Sequence, residues 1–73
     1  MKIVDSKRKF DRWFQIAKSV DHDEWRVWES QDPTFDGDLV PDSESAKDFS
    51  TFEEAEEYRD ELIRARKQQV ARS

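Results

Sequence analysis

The chain contains no cysteine, one histidine, one glycine and two prolines among its 73 residues. The absence of cysteine excludes a disulfide framework and cysteine-ligated zinc, two common supports of small domains. No phosphate-binding glycine loop and no nucleophile elbow are present, and no apolar run approaches the roughly 20 residues of a membrane span. We therefore expect a non-enzymatic cytoplasmic protein that has no cofactor, no metal site and no contact with the membrane.

The length and composition favour one small folded domain over residues 1–73. A chain of this size buries only roughly 60% of its unfolded surface, so its stability is marginal. Charged residues make up 42% of the chain and apolar residues 34%, which is close to the range where disorder competes with folding. Three tryptophans, five phenylalanines and one tyrosine favour the folded state because each buries a large apolar area.

The net charge of −5 conceals a strong asymmetry along the chain. Residues 1–18 carry six basic and two acidic side chains, whereas residues 19–48 carry two basic and ten acidic ones. Residues 49–73 are nearly balanced, with five basic and six acidic side chains. A basic segment followed by an acidic one is typical of interaction proteins, although solvated charge that keeps a small protein in solution is the simpler explanation.

Alternation of apolar and polar residues predicts two strands. The first extends over residues 10–20 and the second over 25–30, and the polar loop 21–24 between them has the length of a hairpin connection. Residues 1–8 are predicted to form either a flexible tail or a short edge strand. Residues 46–49 are a candidate third strand.

A carboxy-terminal helix is the clearest prediction from the sequence. Thr51 and Glu54 have the spacing of a capping box, in which each side chain satisfies a main-chain N–H of the first turn. One stripe of a helix follows at steps of three and four, formed by Phe52, Ala55, Tyr58, Leu62, Ala65 and Gln69. We expect the stripe to pack on the sheet through Phe52, Tyr58 and Leu62. The predicted fold is α+β, a two- or three-stranded antiparallel sheet packed by one carboxy-terminal helix.

The face of the hairpin that points away from the helix is the first candidate binding surface. If Phe14 and Val27 face the helix, four other side chains turn away from it: Trp13, Gln15, Arg26 and Trp28. Lys7 and Lys9 are expected on the same side if the strand extends that far back. Tryptophan and arginine are enriched at interface hot spots and in platforms on which single-stranded nucleic acid stacks. Two alternatives stay open. One tryptophan is covered by residues 3–4 or by residues 35–40, or the register is inverted and the two faces are exchanged.

The acidic loop 31–45 is the second candidate. Its carboxylates, Asp36, Asp38 and Asp42 among them, present a surface that imitates the phosphate backbone of a nucleic acid. Residues 32–39 also resemble the first half of a calcium-binding EF-hand loop, with Gly37 at the sixth position. The bidentate glutamate is missing because the twelfth position is Ser43, so a structural turn is the preferred interpretation.

The segment from Trp25 to Leu62 resembles short bacterial ββα and βββα domains of uncharacterised function. The matching residues are Trp25-Arg26-Val27 and the F-x-T-x-E-E-A pattern from Phe49 to Ala55. A similar passage from strand to helix occurs in the arm-binding domains of tyrosine recombinases and in plant ethylene-response-factor domains. In those families it implies a sheet laid in the major groove of DNA, but here the hairpin loop is acidic where DNA contact requires lysine or arginine.

Together these patterns predict a protein–protein interaction module with an unidentified protein partner. One form of it is an acidic inhibitor or nucleic-acid mimic, since the small acidic format resembles phage-encoded inhibitors of host defence. The alternative is a nucleic-acid-binding module that uses the basic aromatic face of the sheet.

Overall fold

The chain folds into a four-stranded antiparallel sheet with one helix packed across it. The computed structural model describes residues 2–40 and 45–72. The strands lie in the order β1-β2-β3-β4, so that β1 and β4 form the two edges. The elements are β1 Lys2–Lys9, β2 Arg12–Lys18, β3 Trp25–Ser30, β4 Lys47–Phe49 and the helix α1 Phe52–Arg72.

This architecture confirms the α+β class and the helix that packs on an antiparallel sheet. The predicted number of strands, two or three, was too low. Residues 2–9 form a full edge strand rather than a tail, because they pair with β2 along its whole length. The three residues of β4 add a fourth strand through pairs such as Trp25 with Phe49.

A tight turn at Phe10 and Asp11 joins β1 to β2, so the prediction that a strand begins at residue 10 was wrong. Both residues have positive φ, 55° and 61°. Two central residues in this conformation characterise the type I′ turn, whose twist matches that of a two-residue hairpin. Phenylalanine has no intrinsic preference for positive φ, which is why alternation of side chains could not reveal the turn.

The core lies between the sheet and α1. Ile16 and Val27 are directly paired across β2 and β3, and both are fully buried against Ala55 of the helix. Three predicted residues of the helix pack around this cluster: Phe52, Tyr58 and Leu62. Trp25 of β3 and Phe49 of β4 also pack against it. The predicted faces of β2 and β3 are therefore confirmed. Lys7 and Lys9 were expected on the face of Trp13, but they pair with Phe14 and Arg12 and so lie on the helix face.

The start of α1 follows the capping prediction. The Oγ1 atom of Thr51 accepts a hydrogen bond from the main-chain N–H of Glu54 at 3.2 Å. Glu53 and Glu54 also place negative charge in the first turn, where it complements the positive end of the helix dipole. Within the described residues, no helix is long and apolar enough to cross a membrane.

Two ion pairs fasten the helix to the sheet. Arg59 is almost completely buried and donates a hydrogen bond to Asp5 of β1. Arg66 binds the carboxylate of Glu29 on β3 through two hydrogen bonds, of 3.0 and 2.9 Å. These hydrogen bonds raise the pKa of Arg66 above its usual value. One pair ties the helix to the edge strand β1, and the other ties it to the inner strand β3.

Candidate interaction groove

The first part of the connection after β3, residues 31–40, returns across the face of the sheet that is opposite the helix. The Nε2 atom of Gln15 donates to the carbonyl oxygen of Thr34 at 2.8 Å, and the N–H of Thr34 donates to Oε1 of Gln15 at 2.7 Å. Both residues are buried. The side-chain amide thus pairs with the main chain of Thr34 as a neighbouring strand would, and it holds this segment against the sheet.

Two of the four side chains predicted to form the open sheet face are buried. Trp28 is 0% exposed and Gln15 1% exposed, and the two residues are directly paired across β2 and β3. The alternative in which one tryptophan is covered is therefore the arrangement found here. The indole Nε1 of Trp28 has no hydrogen-bond acceptor within the described part of the chain. Trp28 consequently supports the surface from below and does not form it.

Trp13 is the tryptophan of this face that remains accessible. It is half-buried and lines an open groove of about 540 Å³ between the β1–β2 hairpin and residues 33–36. Phe35, which is 66% exposed, stands on the opposite wall. The lining, here called the aromatic groove, consists of Ile3, Ser6, Trp13, Gln15, Pro33, Thr34, Phe35 and Asp36.

The outer wall of the aromatic groove is tied to the edge strand as well as to the middle of the sheet. The N–H of Ile3 donates to Oδ1 of Asp36 at 2.6 Å. In the same segment the N–H of Phe35 donates to Oδ2 of Asp38 at 3.1 Å, and the N–H of Asp38 donates to the carbonyl oxygen of Phe35 at 2.9 Å. These bonds close a turn that positions the Phe35 ring on the groove wall.

Of the three acidic residues predicted to form a binding surface, two have structural partners. Asp36 and Asp38 accept the main-chain hydrogen bonds of this turn, while Asp42 lies outside the described residues. In the described ranges, 2–40 and 45–72, no three acidic or histidine side chains are grouped closely enough to hold a metal ion. The part of the EF-hand-like segment that is described therefore forms a turn fixed by carboxylates.

The β1–β2 hairpin carries four cations, and one of them, Arg8, lies on the groove face. Lys7, Arg8 and Lys9 are exposed and Arg12 is half-buried. Arg8 is paired with Trp13 across the two strands, so both side chains lie on the groove face. The Arg8 side chain is 63% exposed, and its Nη2 atom lies 3.4 Å from Oδ1 of Asp11.

Arg26, the remaining predicted site residue, forms an ion pair near the β4 edge of the sheet. Its Nε and Nη2 atoms donate to the two carboxylate oxygens of Asp48 at 2.6 and 2.9 Å. The hydrogen bond from Arg26 holds the pKa of Asp48 below its ordinary value, and the same bond raises the pKa of Arg26. Both side chains are 40% exposed. Arg26 thus joins β3 to β4, and it does not line the aromatic groove.

A second and smaller groove, of about 240 Å³, lies beside α1. It is lined by Lys47, Phe49, Glu54, Glu57, Tyr58 and Glu61. The ammonium group of Lys47 sits 5.4 Å from the centre of the Tyr58 ring. Because a cation of the chain itself already faces this ring, the aromatic groove offers the more accessible apolar surface.

Phe35, Ile3 and Pro33 are groove residues that the sequence did not identify as a site. For Phe35 and Pro33 the available signal was the presence of apolar residues in a strongly acidic segment, where solvation alone requires none. Their grouping depends on the Gln15–Thr34 contact, which joins residues 19 positions apart.

Comparison with protein-family models, with curated proteins and with solved structures finds no match to this chain. The resemblance of residues 25–62 to bacterial ββα domains therefore stays a prediction from the sequence.

Proposed function

We propose that this protein is a small, non-enzymatic protein-binding module and that the aromatic groove is its contact surface. The observation that carries the proposal is the exposure of Phe35 beside Trp13 in an open apolar groove. In a chain with 42% charged residues, a grouped apolar surface is unlike its surroundings. Such patches on small proteins commonly mark interaction sites.

The residue types and the rigidity of the groove support this proposal. Tryptophan is the residue most often found at interface hot spots, where it fills a pocket on the partner or accepts a partner side chain. The Gln15–Thr34 hydrogen bonds and the Ile3–Asp36 hydrogen bond fix the two walls in advance. A surface that is ordered before binding loses less conformational entropy when the partner arrives.

A nucleic-acid-binding module is the second candidate, favoured by Arg8, which is paired with Trp13 across the β1–β2 hairpin. Aromatic rings next to cations form the stacking platforms of single-strand-binding proteins. The acidic inhibitor or mimic is a further form of the protein-binding proposal, in which Asp36, Asp38 and Asp42 contact the partner. This form is tested by neutralising the three carboxylates, whereas the groove proposal is tested by replacing Trp13.

Affinity capture from a lysate of the source cell, with and without nuclease, separates these functions. We expect one defined protein to be retained after nuclease treatment and to be lost with Trp13→Ala and with Phe35→Ser. Leu39→Ser is the matched control, because Leu39 is 94% exposed in the same segment and does not line the groove. Circular dichroism confirms that each variant is folded.

Three other outcomes contradict the groove proposal. Retention that disappears with nuclease favours nucleic acid. Loss caused by neutralising Asp36, Asp38 and Asp42, with no effect of Trp13→Ala, favours acidic mimicry. Equal loss in the Leu39→Ser control shows that apolar exposure in general, and not the groove, is responsible.

The cytoplasmic location is part of the proposal and rests on composition, because a chain without cysteine suits a reducing compartment.

A further inference from the structure

Among the described residues, the groove face has a single cation that is available for a partner. Side chains alternate along β1, so Arg8 lies on the groove face with Trp13, while Lys7 and Lys9 lie on the helix face. Arg26 also belongs to the groove face, but its guanidinium is held by both oxygens of Asp48. In the described part of the chain, the Arg8 guanidinium makes one ion pair, to Asp11 at 3.4 Å. The Arg8 side chain is 63% exposed, and this ion pair engages one nitrogen of a guanidinium that has five N–H donors.

We propose that the aromatic groove takes an acidic peptide segment, whose aromatic side chain enters between Trp13 and Phe35 and whose neighbouring carboxylate pairs with Arg8. This inference rests on the proposed function and names the chemistry of its partner. Cross-strand neighbours on one face have Cβ atoms about 4.5–5.5 Å apart, so Trp13 and Arg8 are close enough to contact adjacent side chains of one ligand. Arginine and carboxylate form two parallel hydrogen bonds, which adds orientation to the contact.

The edge of β1 argues that the segment binds through its side chains and not as an added strand. The register of β1 against β2 shifts between Ile3 and Asp5, which is a bulge. The N–H of Ile3 is already donated to Asp36, and Lys7 and Lys9 are exposed on the same strand. Bulges, lysines and covering loops are the features by which proteins block pairing at an edge strand.

The charge pattern favours a peptide over nucleic acid. A nucleic acid gains its affinity from several phosphate contacts. The groove face presents Arg8 beside Trp13 at one end and the Asp36 carboxylate beside Ile3 at the other. The far end of the sheet is also acidic, since Asp21, Asp23 and Glu24 lie in the β2–β3 loop. A long polyanion meets repulsion there, while a short segment with its carboxylate at Arg8 does not.

Fluorescence anisotropy with defined probes tests the inference. The probes are three labelled peptides of about ten residues, each with one central phenylalanine flanked by glutamate, glutamine or lysine, and a thymidine oligonucleotide of similar length. We expect the acidic peptide to bind about tenfold more tightly than the neutral one at about 50 mM salt, with the difference shrinking at about 500 mM. Trp13→Ala should abolish binding of the acidic peptide.

Arg8→Glu and Lys7→Glu form the matched pair, because they change the net charge equally at adjacent residues on opposite faces of β1. Arg8→Glu should weaken the acidic peptide at least about tenfold, and Lys7→Glu less than about threefold, since an exposed charge away from the site acts only through a screened field. Equal effects of the two variants overturn the assigned role of Arg8.

The remaining outcomes separate failure of this inference from failure of the proposed function. If the neutral or the basic peptide binds as well as the acidic one and Trp13→Ala abolishes it, the groove stands and the acidic partner is overturned. If the oligonucleotide binds most tightly in a Trp13-dependent way, both are overturned in favour of nucleic acid. Absence of binding by the acidic peptide up to about 1 mM overturns the inference. Trp13-dependent dimers in sedimentation overturn it in favour of a second copy of this chain.

Discussion

The side-chain amide of Gln15 and the main chain of Thr34 exchange two hydrogen bonds, of 2.8 and 2.7 Å, in a buried contact. Gln15 lies in the second strand of the sheet, and Thr34 lies in the segment that crosses over the sheet. The contact therefore links the stability of the fold to the shape of the groove, because both residues are buried and both line the groove.

Replacing Gln15 by leucine is expected to destabilise the protein by about 1–3 kcal/mol. Leucine has a similar volume but leaves both the N–H and the carbonyl oxygen of Thr34 without their partners in a buried position. Urea denaturation measures the loss of stability. The control is Gln68→Leu, which makes the same change at an exposed position of α1. A Gln15→Leu variant as stable as the control contradicts a structural role for this contact.

Arg59→Met is expected to cost about 2–3 kcal/mol, because it leaves the carboxylate of Asp5 near the core without its cation. The Arg59 side chain is 4% exposed and that of Asp5 26% exposed, so water relieves only part of the loss. Arg64→Met, at an exposed position of the same helix, should change the stability by less than about 0.5 kcal/mol. The double variant Asp5→Leu/Arg59→Met should recover much of the loss in a urea titration. Failure to recover any of it shows that packing, and not charge pairing, is the function of Arg59.

Phe10→Asn should stabilise the protein by about 1 kcal/mol, which corresponds to a rise in Tm of about 4–8 °C in a domain of this size. Phe10 adopts a φ of 55°, a conformation that asparagine tolerates better than phenylalanine. Val20→Asn is the control, since Val20 is 78% exposed and has no positive φ. A lower Tm for Phe10→Asn shows that the half-exposed ring contributes packing that exceeds its conformational cost.

The single tyrosine makes an alkaline titration specific to one site. Burial raises the pKa of Tyr58 above its ordinary value of 10.0. Its hydroxyl also donates to the carbonyl oxygen of Ser45 at 2.8 Å. Because the pKa is higher in the folded state, the contribution of Tyr58 to stability is complete below pH 10.0 and is lost as the pH rises through the folded pKa. Tyrosinate absorbance should therefore appear at higher pH in the native protein than in urea. Coincident curves contradict the buried environment.

The Arg26–Asp48 pair predicts the opposite dependence at low pH. The pKa of Asp48 lies below its ordinary value of 3.8, so its contribution to stability is present above pH 3.8 and disappears as the pH falls through the folded pKa. The difference in Tm between wild type and Arg26→Gln should be small, because both side chains are 40% exposed, and it should close in acid. A carbon-13 titration of Asp48 that is unchanged in Arg26→Gln contradicts the assigned cause of the pKa shift.

Periodicity predicted the parts of the fold that repeat along the chain. The stripe that begins at Phe52 and the placement of Val27 on the helix side of the sheet were recoverable because burial on one face imposes a fixed spacing. Irregular features were not recoverable. The turn at Phe10 uses a residue with no preference for positive φ, and Asp5 meets Arg59 across 54 positions of sequence.

The site was predicted in part for the same reason. The face that carries Trp13 was correctly assigned by alternation, whereas the burial of Trp28 depends on where residues 31–40 return. That path is set by the contact between Gln15 and Thr34, which no local pattern encodes. Trp28→Ala is accordingly a poor binding test, since a cavity of that size costs about 3–5 kcal/mol, comparable with the whole stability of a domain this small.

The most direct measurement of the central claim is a nitrogen-15 NMR titration of the protein with the partner that it captures. We expect the amides of Ile3, Ser6 and residues 34–36 to shift together with the indole N–H of Trp13, while the indole signals of Trp25 and Trp28 stay in place. Shifts confined to residues 21–24 of the β2–β3 loop, or to the acidic side of the helix, would contradict the claim that the aromatic groove is the contact surface.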